Sequence, residues 1–281
     1  MNTVETNEEL RTVVAAIGNK TRIGFVPTMG NLHAGHIKLI HAARANCDKV
    51  ICSIFVNPTQ FGPDEDLANY PRTLTADKLK LEAAGCDIVF TPSVEELYGQ
   101  ENSPKTSIHV PGVSENFCGG SRPGHFDGVA TVVCKLLCLV QPTHAYFGLK
   151  DYQQFLVIKK LVADLHLPVT VTGIETEREV SGLAMSSRNG YLDDSQLEIA
   201  AKLYETLQQA AKELAHVEDN FHSLTAKSIA RLEDCGLKVD YFAVCNADDL
   251  TAAQLGDRNL AILAAVYLAN TRLIDNIRVQ L

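Results

Sequence analysis

Ile23-Gly24-Phe25-Val26-Pro27-Thr28-Met29-Gly30-Asn31-Leu32-His33-Ala34-Gly35-His36 runs directly into Ile37-Lys38-Leu39-Ile40-His41-Ala42-Ala43. Residues 23–26 are a short apolar run of the kind a buried strand uses, and from residue 37 the apolar residues recur at helical spacing. Strand, glycine-bearing turn and helix in that order predict an α/β protein whose helix N-terminus offers free backbone N–H groups to an anion. His33 and His36, split by Gly35 at the mouth of that helix, point to the phosphates of a nucleotide. Two histidines one helical turn apart also suit half of a metal site or an ordinary surface pair.

Working outward, apolar β-branched runs recur at 50–56, 87–91, 144–148 and 169–174, separated by helical patterns near 37–46, 75–84, 129–139 and 152–165. Such alternation predicts a Rossmann-like parallel sheet covered on both faces. Ligands of these sheets bind beyond the carboxyl ends of the strands. Pro27 to His36, Asn57 to Gly62 and Gly148 to Asp151 all follow strands, so three loops are expected to meet at one site. After residue 176 the rhythm changes. Long helices near 197–216 and 223–234 precede strands at 238–244 and 259–268 and a weaker strand candidate at 272–281. The expected division is 1–176, a Rossmann-like domain, and 177–281, a smaller α+β domain.

The 281 residues are 46% hydrophobic and 21% charged, as in a globular protein with a real core. No N-terminal apolar segment looks like a signal peptide, and no apolar run approaches the ~20 residues of a membrane span. A cytoplasmic protein is expected. The net charge of −9 argues against nucleic acid as the main partner. Eight cysteines contain no C-x-x-C pair, and Cys134 and Cys138 lie i, i+4 on an apolar helix. Reduced packing thiols are expected rather than a zinc site.

Further blocks add chemistry. Pro58 and Gly62 tighten the loop around Gln60, an uncharged side chain that both donates and accepts, which suits a small hydroxy acid. Residues 121–128 read as a turn-rich loop before a helix at 129–139. Asp151 and Gln154 have the spacing of a helix cap and its third residue. Lys150 at the same turn supplies a flexible cation. Ser186-Ser187-Arg188 offers two hydroxyls, backbone N–H groups and a permanent cation, a match for β- and γ-phosphates.

The histidine spacing resembles the His-x-Gly-His signature of the class I aminoacyl-tRNA synthetase and nucleotidyltransferase superfamily. Taken in order, PTMGNLHAGH, SIFVNPTQFG, ANYPRT, RPGHFDGV, FGLKDYQQ and GLAMSSRNGYL closely resemble the pantothenate synthetase (pantoate–β-alanine ligase) family of coenzyme A biosynthesis. The resemblance runs from about Gly24 to Leu192; the C-terminal third matches mainly in length and expected fold.

It implies ATP-dependent condensation of pantoate with β-alanine through a pantoyl adenylate, releasing AMP and pyrophosphate. It implies ATP contacts at Met29, Gly30, Asn31, Leu32, His33, Ala34, Gly35 and His36, at Gly148, Leu149, Lys150 and Asp151, and at Met185, Ser186, Ser187 and Arg188. His36 takes a proton-donor role, and His33, Lys150, Ser186, Ser187 and Arg188 share the phosphate charge. Pantoate lies between Gln60 and Gln154, with Gln60 also near β-alanine; Asn57 and Tyr70 join the substrate set, and Arg122 is the candidate for the β-alanine carboxylate. Leu149, Glu177 and Ser181 depart from the family pattern; Glu177 stands where an apolar residue usually touches the adenine through its backbone.

Magnesium is expected with ATP and no tightly bound cofactor is implied; the small C-terminal domain would close over the site, and a homodimer is implied. Two alternatives remain: a nucleotidyltransferase of the same superfamily, and a non-catalytic nucleotide- or metal-binding module built on His33 and His36.

Overall fold

The computed structural model describes residues 1–18, 20–63, 65–100, 105–214, 216 and 221–281. They fall into two compact units: Met1–Leu149 with Val157–Glu175, and Lys150–Leu156 with Thr176–Leu281. The division at 175/176 stands one residue from the expected boundary, and residues 150–156 group with the second unit.

The first unit is a six-stranded parallel sheet in the order β1-β4-β3-β2-β5-β6. Its strands are β1 (Asn2–Val4), β2 (Ile23–Thr28), β3 (Lys49–Ile54), β4 (Ile88–Phe90), β5 (His144–Gly148) and β6 (Thr170–Ile174). The helices are α1 (Asn7–Ala16), α2 (Ala34–Asn46), α3 (Leu74–Ala83), α4 (Val94–Tyr98), α5 (Cys118–Ser121), α6 (His125–Val140) and α7 (Tyr152–Asp164), whose first turn belongs to the second unit. Val26, Val50, Cys52, Val89 and Tyr146 share a core with Leu39, Ile40 and Ala43 of α2 and Leu81 of α3. Phe25, Ile51 and Ala145, of opposite parity along their strands, are equally buried, so both sheet faces are covered.

Two elements are added to the sequence reading and two expectations are corrected. The chain forms β1 and α1 before residue 19, where the sequence reads only as mixed polar; α1 is started by a Thr6/Glu9 capping box. The loop expected at 121–128 is shorter, since α6 begins at His125 with Gly124 left-handed before it (φ 80°). Asp151 is not a helix cap: a 3-10 turn at Leu149–Asp151 runs straight into α7, and neither Asp151 nor Gln154 makes a capping bond among the described residues.

In the second unit β7 (Lys238–Asn246), β8 (Asn259–Leu268) and β9 (Thr271–Gln280) form an antiparallel sheet in that order. The weak strand candidate at 272–281 is a full strand, paired with β8 along its length. Central β8 is buried almost throughout and packs with β9 against α8 (Asp194–Leu214), while α9 (His222–Asp234) packs against α8 and β7. α8 starts three residues earlier than its apolar spacing suggests, because Asp193 and Gln196 form a reciprocal cap. The last turn of the helix expected at 197–216 includes Ala215, which lies outside the described residues. Among the described residues no helix is long and apolar enough to cross a membrane.

Candidate active site

The chain moves outward from β2 to β3 and β4 on one side, then returns to β5 on the other. The strand order therefore reverses between β2 and β5, the switch point outside whose carboxyl ends parallel α/β sheets bind their ligands. The turn after β2, the loop after β3 and Gly148-Leu149 at the end of β5 all emerge on this edge.

The turn after β2 bends through two left-handed residues, Gly30 (φ 83°) and Asn31 (φ 50°). A Cβ on Gly30 would stand 3.1 Å from the Ile54 side chain and 3.2 Å from Asp77 Oδ2 as well as in a disfavoured conformation. Asp77, fully buried on α3, holds the turn by accepting from the N–H groups of Asn31 (2.9 Å) and Leu32 (2.8 Å) and from the Thr73 hydroxyl (3.0 Å). Lys80, one helical turn on, donates to the Leu32 carbonyl (2.6 Å). Sequence reasoning missed both residues.

α2 then begins with an unusual cap. His33 Nδ1 accepts from the Gly35 N–H (3.2 Å), and His36 Nδ1 accepts from the His33 N–H (3.3 Å). The ring centroids are 4.1 Å apart. A backbone N–H can only donate, so both Nδ1 atoms are unprotonated and each ring carries its proton on Nε2. Nε2 is therefore the nitrogen through which each ring can donate, at the positive end of a helix.

The loop after β3 is held from four sides. Asn57, 1% exposed, donates to Gln60 Oε1 (3.0 Å) and to the Gly128 carbonyl (3.2 Å), and accepts from the Tyr98 hydroxyl (2.8 Å) and the Thr59 hydroxyl (2.9 Å). This fixes the Gln60 amide, whose Nε2 lies 3.1 Å from Met29 Sδ in the neighbouring turn. Asn57 is therefore a support for Gln60 rather than a group with polar atoms to spare. Tyr70 is also buried, edge-on to Phe61.

Arg122 is drawn elsewhere than expected. Its guanidinium closes on both Glu65 oxygens (2.7 and 2.5 Å) and reaches the Gln60 carbonyl (3.3 Å) and His125 Nε2 (3.0 Å). His125 Nδ1 donates to the same Gln60 carbonyl (2.7 Å). Burial pushes the Glu65 carboxyl up, but the hydrogen bonds and charge of Arg122 pull it down by more, to below its ordinary range. Arg122, the candidate for the β-alanine carboxylate, pairs its fork with Glu65 and latches the Gln60 loop through the Gln60 carbonyl.

In the second unit Lys150 lies half-buried, its Nζ 3.7 Å from Asp151 Oδ1, and Gln154 is half-buried one turn into the helix. Residues 177–185 form a tight hairpin: Met185 N–H donates to the Glu177 carbonyl (2.9 Å), Glu179 N–H to the Leu183 carbonyl (2.8 Å), and Arg178 bridges Ala184. Glu177 takes part through its backbone carbonyl, and Ser181 Oγ accepts from Leu183 N–H (3.4 Å) in the turn. The hairpin delivers Ser186, which caps a 3-10 turn at Ser187–Tyr191 by accepting from Arg188 N–H (3.3 Å). Met29 to His36, Asn57, Gln60, Tyr70, Arg122, Gly148 and Leu149 thus belong to the first unit; Lys150, Asp151, Gln154, Glu177 and Met185 to Arg188 belong to the second.

The family model described as pantoate-beta-alanine ligase matches residues 2–278. Pantothenate synthetase of Pseudomonas aeruginosa strain UCBPP-PA14 is 55% identical over 282 aligned positions, covering all of both chains. That of Pseudomonas putida strain KT2440 is 52% identical, covering all of this chain and 98% of the other. Among solved structures, pantothenate synthetase from Thermus thermophilus superposes with a TM-score of 0.89 at 41% identity, covering 99% of each chain. Pantoate-beta-alanine ligase from Francisella tularensis, complexed with beta-gamma ATP and beta-alanine, gives 0.82 at 37% identity, covering 99% of this chain and 97% of that one. Full-length identity of this order joins the motif order to the fold: the chain belongs to the pantoate–β-alanine ligase family.

Proposed function

We propose that this ligase joins pantoate to β-alanine in two steps, with charge stabilisation and orientation supplying the catalysis. A pantoate carboxylate oxygen attacks the α-phosphorus of ATP, and the bond to the bridging oxygen breaks to release pyrophosphate. The free amine of β-alanine then attacks the acyl carbon of pantoyl adenylate, loses a proton, and expels AMP to leave pantothenate. No protein nucleophile takes part, so the residues orient substrates and meet developing charge.

The reciprocal cap at His33 and His36 carries this reading. Two Nε2–H donors beside a helix N-terminus suit the oxygens of an α-phosphate passing through a more highly charged transition state. His36 is assigned as the donor to the reacting phosphate. Lys150, Ser186, Ser187 and Arg188 are assigned to the remaining phosphate charge, which an acidic protein must offset locally. Met29 to Leu32, Ala34, Gly35, Gly148, Leu149, Asp151, Glu177 and Met185 complete the ATP set, largely through backbone groups. Gln60, its amide oriented by Asn57, and Gln154 are assigned to pantoate, with Gln60 also serving β-alanine. Magnesium enters with ATP as part of the substrate. The enzyme is further read as a cytoplasmic homodimer.

Incubation with ATP and pantoate alone tests the proposal. Pyrophosphate should appear at about one per active site and then stall, since a useful site must keep a mixed anhydride from water until the amine arrives. Adding β-alanine should release AMP and pantothenate in equal amounts. Pyrophosphate release that ignores pantoate, or a product retaining the nucleotide, would refute it.

A further inference from the structure

Two covalently adjacent residues of β9, Asp275 and Asn276, reach the two phosphate-directed segments of the second unit from opposite faces of one strand. Along β9 the residues of one parity, Leu273, Ile277 and Val279, pack on the helical core. Asp275 shares that parity. Its carboxylate is nearly sealed from solvent and takes the Arg178 guanidinium in a two-point pair, at 2.6 Å and 3.0 Å. Arg178 also lies over the Tyr204 ring (3.4 Å to the centroid) and donates to the Gly182 carbonyl (3.1 Å). With its backbone bridging Ala184, Arg178 is locked on every side, and the hairpin it anchors continues straight into Met185, Ser186, Ser187 and Arg188.

Asn276 and Arg278, of the other parity, reach the segment Lys150–Leu156. Asn276 Nδ2 donates to the Lys150 carbonyl (2.9 Å), and the Arg278 guanidinium lies over the Tyr152 ring (5.8 Å to the centroid). The Tyr152 hydroxyl donates in turn to the Ala247 carbonyl (2.8 Å). The Asn276 N–H donates to Asp275 Oδ1 (2.8 Å), tying the two functions together.

We infer that Asp275 and Asn276 are positioning residues for phosphate binding, setting the backbone of Lys150 against that of the Ser186-Ser187-Arg188 turn through one pleat of β9. Successive residues of a strand point to opposite faces at a fixed rise, so the spacing between the two tethers is as rigid as the strand itself. Arg178 suits this task because its planar fork fixes orientation as well as distance. The inference rests on the assignment of Lys150 and Arg188 to the phosphates of ATP.

The test compares Asn276→Ala, Asp275→Asn, Arg178→Lys and Lys150→Ala by thermal melt and by pantoate-dependent pyrophosphate release. Displacing positioned groups by an ångström commonly costs about 10²-fold, so Asn276→Ala and Arg178→Lys should raise KM for ATP by about 10–10²-fold. KM for β-alanine should stay at the wild-type value, a split that mere loss of folded protein would not produce. Arg178→Lys retains the charge beside Asp275 and keeps the comparison open should Asp275→Asn fail to fold. Folded Asn276→Ala and Arg178→Lys proteins with wild-type kinetics, alongside an impaired Lys150→Ala, would overturn the inference alone. A Lys150→Ala enzyme that uses ATP normally would overturn the phosphate assignment and the inference together.

Discussion

Replacing Gly128 by alanine puts a close backbone approach beside the Gln60 loop under test. Gly128 sits on α6 directly beneath the loop that carries Gln60, and an added Cβ would run into the Thr59 carbonyl oxygen, 2.5 Å from the carbonyl carbon and 2.8 Å from the Gln60 nitrogen. Ordinary contact begins at 3.4 Å, so loop or helix must move by about 1 Å, and all three obstructing atoms are backbone. Overpacking of this kind costs about 1–3 kcal/mol of stability. The larger effect falls on function, because a displacement of about 1 Å at a positioned group commonly costs about 10² in rate. The Gly128 carbonyl also accepts from Asn57, so the shift breaks the support that orients the Gln60 amide. Steady-state pyrophosphate release should show KM for pantoate raised, or kcat lowered, by about two orders of magnitude, while a thermal melt shows a folded protein. A Gly128→Ala enzyme with wild-type pantoate kinetics would refute the assignment of Gln60 to that substrate or the rigidity ascribed to its loop.

Other expectations follow from the same geometry. Asp77→Asn turns an NH2 group toward one of the two backbone N–H groups that now each meet a carboxylate oxygen, which should cost about 1–3 kcal/mol for that orphaned donor and slow adenylation; melting and pyrophosphate release measure the two effects. Gln154→Ala should leave the melting temperature nearly unchanged, because Gln154 makes no capping bond, and should raise KM for pantoate; the reverse pattern would restore the capping role. The Glu65 carboxyl is depressed below its ordinary 4.5, so its pairing contributes stability that is present above that value and lost as pH falls through the lower folded pKa. The difference in melting temperature between wild type and Glu65→Gln should accordingly be constant above about pH 5 and shrink below 4.5.

Much of the sheet was legible because its strands are apolar on both faces and its helices repeat apolar residues at helical spacing. Strand β1 was not: of Asn2, Thr3 and Val4 only Val4 is buried, and pairing with β4, more than eighty residues away, makes it a strand. The motif loops were legible as loops, yet the groups that hold them were hidden by distance along the chain. Asp77 sits in an ordinary amphipathic stretch and becomes a buried strut only when α3 brings it to a turn 45 residues upstream. Arg122 looks available in the sequence, but Glu65, 57 residues earlier, takes its fork. Local patterns report which backbone is bent and which face is apolar. They do not report which charge is already engaged.

The interlocked imidazoles place folding and chemistry under a common constraint. Each ring must accept on one edge and donate from the other, and no other side chain does both across that span: asparagine matches only the near edge, glutamine only the far one, and lysine or arginine has no acceptor. A substitution at either position therefore withdraws a donor and loosens the first turn of α2 at once. Neutral drift is closed off here, because a variant that restored the helix start would still lack the donor, and one that restored the donor would still fray the start.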